Sequence, residues 1–180
     1  MSKFTQPPLN YQDLFASLGV AYIVFDGNDP EFTIVAENKA HADMAMVKRE
    51  DVIGKPLLEA FPDESEEYAK KGESRLLASI RKVLATGESD TMDELRYDLK
   101  DPNGVLTTKY WEVTHYPVFE DEKVRAVCQQ TQDITDRVLA RRELKVTKDQ
   151  LGRVLEYGGV GTWIWDLKRD VIAADKNLAR

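Results

Sequence analysis

The order of strand-like and helix-like segments restricts the fold of this chain more than any other feature. Two runs rich in Val, Ile, Tyr and Phe flank the turn cluster "DGNDP" in "VAYIVFDGNDPEFTIVAEN", which predicts a β-hairpin. Short helical pieces follow, and "RLLASIRKVLATG" has the apolar spacing of an amphipathic helix that ends at Gly87. Three strand-like stretches come last, in residues 91–100, 106–119 and 124–133. Helices segregated from a mainly antiparallel sheet indicate an α+β fold.

Alternation along "LTTKYWEVTHYPVF" places Trp111, Val113 and His115 on one face of the penultimate strand. We expect this face to line a pocket opposite the helical layer. The candidate lining residues are Ile53, Phe61, Ile80, Leu84, Tyr97, Trp111, Val113 and His115. A Trp and a His together suit a small aromatic or polar ligand; the alternative is that these side chains simply fill the core. In a pocket, His115 would titrate near neutral pH unless it is desolvated.

Composition restricts the partners and the compartment. The 180 residues suffice for one ordinary domain with some chain left over, or for two small domains, and a net charge of -7 argues against a general affinity for nucleic acid. No apolar run is long enough to cross a bilayer, so we expect no membrane insertion. A single cysteine, Cys128, excludes an intrachain disulfide framework. The single cysteine and the missing secretory signal at the N-terminus together favour a cytoplasmic location.

Sequence motifs for catalysis are missing. The chain has no phosphate-binding G-x-x-x-x-G-K-[ST], no H-E-x-x-H, no G-x-S-x-G and no paired-cysteine metal site. Its two histidines, His41 and His115, do not lie in the context of a kinase phosphoacceptor. We therefore expect no catalytic residues and no metal site in this chain.

The helical segment "DVIGKPLLEAFP" and a final strand that ends in "DIT" resemble a PAS domain over about residues 11–136. The matching positions are Asn38 at the end of the second strand, Val52-Ile53-Gly54 in the helical region and Asp133-Ile134-Thr135 after the last strand. The stretches "LRYDLKDPNG" and "KYWEVTHYPVFEDEKV" are similar to PAS modules at the front of bacterial sensor histidine kinases. The resemblance implies a five-stranded antiparallel sheet with helices on one face.

The resemblance also implies a domain plan. We expect an N-terminal tail (1–10), a PAS sensor domain (11–135), a signalling helix (136–157) and the start of a second PAS domain (158–180). In the last part, "GTWIWDL" and "VIAAD" are the expected first two strands. Residues 158–180 are too few to bury a core of this kind, so we interpret the chain as part of a larger multidomain protein.

The segment after the "DIT" motif predicts a long helix, because Gly152 is the sole Gly or Pro between Asp136 and Tyr157. Thr135 is the expected N-cap, with Asp133 as a competitor. Apolar or small residues recur at heptad spacing, namely at Ala140, Leu144, Thr147, Leu151 and Val154. This seam favours a coiled-coil linker in a homodimer; the alternative is a helix that packs back on its own sheet. The signal would then pass through Asp133, Ile134 and Thr135.

Predictions about cofactors follow from comparison with PAS subfamilies. Flavin-binding light sensors carry an Asn-Cys-Arg-Phe motif where this chain has "GKPLLEAFP", so a flavin photoadduct is excluded at this level. Haem-binding members place a histidine on the helix that here reads "SRLLASIRKVLATG", so we expect no haem, although His41 on another helix is an alternative ligand. A small-molecule ligand stays open.

The resemblance implies a function in sensory signal transduction. The expected class of parent protein is a histidine kinase, and the expected partner is its output domain on the same polypeptide. Two alternatives are a cofactor-binding redox or gas-sensing domain and a pure dimerisation scaffold.

Overall fold

The structure is a computed structural model that describes residues 10–62, 75–100, 105–158 and 161–174. The chain divides into two compact units between Thr135 and Asp136. The expected N-terminal tail, except Asn10, lies outside the described residues, as do the charged segment 64–74, the "DPNG" turn and the last residues of the expected second module.

The first unit consists of a mixed series of short helices and a sheet. Its elements are α1 (Tyr11–Ser17), β1 (Ala21–Asp26), β2 (Ile34–Glu37), α2 (Lys39–Ala45), α3 (Arg49–Val52), α4 (Leu57–Ala60), α5 (Arg75–Thr86), β3 (Asp90–Lys100), β4 (Leu106–Glu120) and β5 (Lys123–Asp133). The five strands lie in the order β2-β1-β5-β4-β3, and each neighbouring pair is antiparallel. The α+β fold with a five-stranded antiparallel sheet, predicted from the sequence, is confirmed.

Alternation along the strands determines which side chains enter the core. In β1, every second residue from Ala21 is buried, and in β4 the buried residues are Trp111, Val113 and His115, as the sequence pattern predicts. Helix α5 buries Leu77, Ile80 and Val83 and packs on β3, β4 and β5. The core therefore lies between the helices and one face of the sheet.

Asn38 connects the hairpin to the first helix of this layer. Its side chain is fully buried, and Oδ1 accepts from the backbone N–H groups of Tyr22 (3.0 Å) and His41 (2.9 Å). Its Nδ2 donates to the Val20 carbonyl at 2.7 Å. The predicted N-cap is confirmed, and it fixes the start of α2 beside β1.

The second unit contains the rest of helix α6 (Thr135–Tyr157) and an antiparallel pair of strands, β6 (Trp163–Asp166) and β7 (Val171–Ala174). Helix α6 continues through Gly152, which costs roughly 1 kcal/mol relative to alanine. Among the described residues, no helix is both long and apolar enough to span a membrane.

Candidate functional site

A cavity of about 100 Å³ lies between the sheet and the helical layer of the first unit. Most of its wall is apolar, with Ile23, Phe25, Leu57, Leu76, Leu95 and Leu99 among the lining residues. The polar groups in the wall come from His41 on α2, from Tyr97 on β3 and from Gln129 and Thr131 on β5. An apolar enclosure with a few polar groups is the usual form of a small-molecule site.

The structure brings half of the predicted pocket residues to this cavity. Phe61, Tyr97, Trp111 and Val113 line it. The other four predicted residues, Ile53, Ile80, Leu84 and His115, do not.

Three of those four belong to a neighbouring part of the core. Ile80 is fully buried in the apolar cluster that includes Phe25, and Ile53 and Leu84 pack against that cluster. Helical spacing shows which face of a helix is buried, but it does not distinguish a residue that packs on neighbours from one that borders an empty space.

His115 is fully buried behind the wall in a continuous hydrogen-bonded network. Its Nδ1 lies 2.8 Å from Ser79 Oγ, and its Nε2 lies 3.0 Å from Gln129 Oε1. The Ser79 hydroxyl donates to Asp90 Oδ2 at 2.7 Å, and Lys82 pairs with the other carboxylate oxygen at 2.6 Å. Each end of the imidazole therefore has a partner.

Burial determines the protonation of His115. Desolvation lowers the pKa of His115 from 6.5 to about 4, so the ring is neutral at physiological pH and donates from only one of its two nitrogens. Gln129 meets the ring through Oε1, and its amide nitrogen donates to Thr131 Oγ1 at 2.9 Å. Because the ring is desolvated, we expect His115 not to titrate near neutral pH.

A second histidine, which the sequence interpretation left without a partner, lines the cavity directly. His41 Nδ1 lies 2.6 Å from Oε1 of Glu37, and the ring packs edge-on against Phe61. Glu37 is 1% exposed, and its second oxygen, Oε2, has no hydrogen-bond partner. Within the residues that the structure describes, no other buried side-chain nitrogen or oxygen lacks a partner.

The spacing of this pair contains a signal that sequence reasoning missed. Glu37 comes immediately before the N-cap Asn38, and His41 is the third residue after that cap. The residue before an N-cap commonly packs against the first turn of the helix, as apolar pairs do in the hydrophobic staple. A Glu and a His at these positions on the strand–helix boundary were therefore candidates for a contact.

The predicted relay residues lie where β5 ends and α6 begins. Ile134 N–H donates to the Tyr110 carbonyl of β4 at 2.9 Å, and Tyr110 N–H donates to Thr135 Oγ1 at 3.1 Å. Asp133 Oδ1 accepts from both N–H (2.9 Å) and Oγ1 (2.5 Å) of Thr135, while Oδ2 pairs with Lys109 at 2.8 Å.

Asp133, the competitor named above, therefore caps α6, and the prediction that Thr135 is the cap is wrong. The Thr135 hydroxyl is not free for this role because it joins β4 to β5. We call these contacts of Asp133, Ile134 and Thr135 with Lys109 and Tyr110 the junction.

Comparison with known proteins adds the family. A family model described as "PAS fold" matches residues 15–139, which is well over half of the chain. The chain belongs to the PAS family. No curated protein matches this chain.

Several solved structures share the fold of this PAS domain. One is an RNA-binding Light-Oxygen-Voltage receptor, with 18% identity, a TM-score of 0.56, and coverage of 82% of this chain and 41% of the receptor. Another is the PAS domain of nitrogen regulation protein NR(II) from Vibrio parahaemolyticus, with 13% identity, a TM-score of 0.52, and coverage of 71% and 100%. The VqmA dimer of Vibrio cholerae in the absence of its target DNA, from a study of LuxR-type receptors, has 24% identity, a TM-score of 0.52, and coverage of 73% and 53%.

These similarities correct one prediction. The exclusion of a flavin photoadduct is wrong, because the fold is shared with a Light-Oxygen-Voltage receptor. The sequence argument used the absence of one cysteine, and a single reactive side chain does not decide whether a cavity binds a flavin. The expectation that nucleic acid is not a partner stays a prediction. One of these similar proteins is described as RNA-binding, and another is described with reference to its target DNA.

Proposed function

We propose that this PAS domain is the input module of a cytoplasmic sensor protein, in which a change at the cavity passes through β5 and the junction into helix α6 of a homodimer. A sensor histidine kinase is the class of parent that we propose, and its output domain would perform the catalysis. One observation carries the proposal: strand β5 both lines the cavity and ends at the junction.

Strand β5 supports the relay by its position. Gln129 and Thr131 line the cavity, and Asp133, two residues further along the same strand, holds the start of α6. Only Ile134 separates the strand from the helix. Because Ile134 and Thr135 are both hydrogen-bonded to Tyr110, little flexible backbone is available to absorb a displacement of β5.

Helix α6 supports the homodimer by its exposed apolar residues. In the single chain, the predicted seam residues Leu144, Leu151 and Val154 are between 54% and 67% exposed, and Ala140 and Thr147 are also exposed. A heptad seam of this kind is covered when a second copy packs in parallel against it.

The strand pair β6–β7 supports the proposal that residues 158–180 begin a second PAS domain. Its large side chains, among them Trp163, Ile164, Trp165 and Ile172, are all at least 50% exposed. An isolated two-stranded sheet is at best marginally stable in water, so further strands would be needed to cover these residues.

Disulfide cross-linking tests the dimer and its seam. In a Cys128→Ser background, Leu144→Cys is expected to cross-link two copies rapidly under mild oxidation, because seam positions of a parallel pair face each other. Arg142→Cys is the matched control, since it lies about 160° around the helix from Leu144. The native cysteine is removed although burial raises the pKa of its thiol to about 11.

Equal cross-linking at positions 142 and 144, or a monomer in analytical ultracentrifugation at tens of micromolar, would contradict the proposed homodimer.

A further inference from the structure

The Gln129 side chain belongs to the cavity wall and comes from the central strand of the sheet, β5. It is paired with Ile23 of β1 on one side and with His115 of β4 on the other. Directly opposite residues of antiparallel strands project to the same face, so all three side chains point into the layer that contains the cavity. Gln129 is 7% exposed. A buried primary amide therefore lies in a wall that is otherwise mostly apolar.

One N–H group of the Gln129 amide has no acceptor, whichever way the amide is oriented. In the orientation described above, Oε1 meets His115 and one N–H is donated to Thr131 Oγ1 at 2.9 Å. In the reversed orientation, one N–H meets Nε2 of His115 and the oxygen accepts from the Thr131 hydroxyl. Either arrangement uses one of the two N–H donors, and the described residues provide no third partner. The count is the same for both tautomers of His115.

The remaining N–H of Gln129 has only apolar atoms or the cavity to face. His115 and Thr131 take two sides of the carboxamide, and the neighbour across the β1–β5 ladder is the apolar Ile23. A buried donor without an acceptor destabilises the folded state, and an acceptor inside the cavity removes that penalty. This part of the wall therefore favours a group that accepts a hydrogen bond.

The rest of the wall restricts the size and the polarity of the ligand. The cavity measures about 100 Å³, and Phe25, Leu57 and Trp111 are among its apolar lining residues. An apolar cavity of ~150 Å³ accepts benzene, so the present one suits a ligand no larger than a single small ring. A water molecule also offers an acceptor, but it leaves most of this volume empty, whereas the apolar body of a ligand fills it and contacts the wall.

From these observations we propose that the cavity binds a compact ligand with an apolar body and one carbonyl or ether oxygen, and that the Gln129 N–H group donates to this oxygen. The bonds of Gln129 to His115 and Thr131 hold the amide in place before the ligand arrives. The inference rests on the proposed sensory function and adds the chemical class of the ligand. It also places the recognising group on β5, the strand that ends at the junction.

Cyclopentanone and methylenecyclopentane are the probes that test this inference. The two rings have nearly the same size and shape, but the first carries a carbonyl oxygen where the second carries a CH₂ group. Titration of the isotope-labelled full chain, followed by amide chemical shifts, gives the two dissociation constants. Their ratio is compared between protein variants, so the different hydration of the two probes in water cancels.

The decisive variant is Gln129→Met, which removes the amide at nearly unchanged side-chain length. The dissociation constant of cyclopentanone, divided by that of methylenecyclopentane, is expected to rise at least fivefold, because the lost hydrogen bond serves only the ketone. A fivefold change corresponds to about 1 kcal/mol. A purely structural role of Gln129 would weaken both probes equally and leave the ratio unchanged. Gln132→Met, at an exposed position of the same strand, is the matched control and is expected to keep the ratio.

The side-chain N–H₂ resonances of Gln129 give a second measurement, which needs no variant and decides the matter even if Gln129→Met does not fold. One of the two protons is expected to move downfield when cyclopentanone is added, because it gains a carbonyl acceptor. Neither proton is expected to move downfield with methylenecyclopentane.

An unchanged ratio in Gln129→Met, or the same movement of the Gln129 side-chain protons with both probes, would overturn the inference. The same holds if cyclopentanone does not bind the unmodified protein at tens of millimolar. None of these results affects the homodimer or its cross-linking at Leu144, so a failure of the ligand class is distinguishable from a failure of the proposed sensor function.

Discussion

The two buried histidines of this domain differ in how completely their surroundings satisfy them. His115 is enclosed by Ser79 and Gln129, and the network continues to Asp90. His41 contacts Glu37 on one side and the cavity on the other, and Oε2 of that glutamate has no partner among the described residues. Satisfied buried networks hold a core in one arrangement, whereas an incomplete one marks a place where something can bind.

The largest expected effect is the pH dependence of the free energy of unfolding that His115 causes. Its pKa of about 4 in the folded protein lies below the ordinary value of 6.5, so the unfolded chain takes up the proton first as the pH falls. The contribution of neutral, buried His115 to the free energy of unfolding is fully present above pH 6.5. It is lost as the pH falls from about 6.5 to 4. The full loss corresponds to roughly 3 kcal/mol.

A titration of the His115 ring protons by NMR checks this prediction. The expected midpoint is near pH 4, and urea denaturation is expected to show a falling free energy of unfolding below pH 6.5. A midpoint near 6.5 would mean that water enters the network, and the contrast between the two histidines would disappear.

A smaller effect is expected from Ser79→Ala. The change removes the partner of a buried imidazole nitrogen and of Asp90, so the free energy of unfolding should fall by about 2 kcal/mol. The exposed Ser89→Ala is the control and should change the free energy by less than about 0.5 kcal/mol.

Glu37→Leu is expected to lower the free energy of unfolding by less than Ser79→Ala does, because one of the Glu37 carboxylate oxygens is already unpartnered. Denaturant curves at pH 7.5 measure all three, and a larger loss at Glu37 would reverse the comparison.

Much of the fold was predictable because its signals are local. Alternation in β4 identified the buried side chains Trp111, Val113 and His115, and the residue type at Asn38 identified a helix cap. The long helix after the junction followed from its composition. These features depend on neighbours along the chain, which a sequence displays directly.

The site was less predictable because it depends on volume and on contacts between elements. Ile80 and Phe61 have the same apolar character, yet the first fills the core and the second borders a cavity. The partners of His115 come from α5 and β5, which are distant in the sequence. The contact between Glu37 and His41 was the exception, since its spacing was visible on either side of the Asn38 cap.

The central claim is that a change in the cavity wall reaches α6 through β5 and the junction. The most direct measurement is the electron–electron resonance distance between nitroxides at Leu144→Cys in the two copies, in a Cys128→Ser background. Gln129→Leu in the wall is expected to shift this distance when the junction is intact, and two glycines inserted between Ile134 and Thr135 should abolish the shift. No distance between copies, no shift, or an equal shift with the glycines in place would contradict the account.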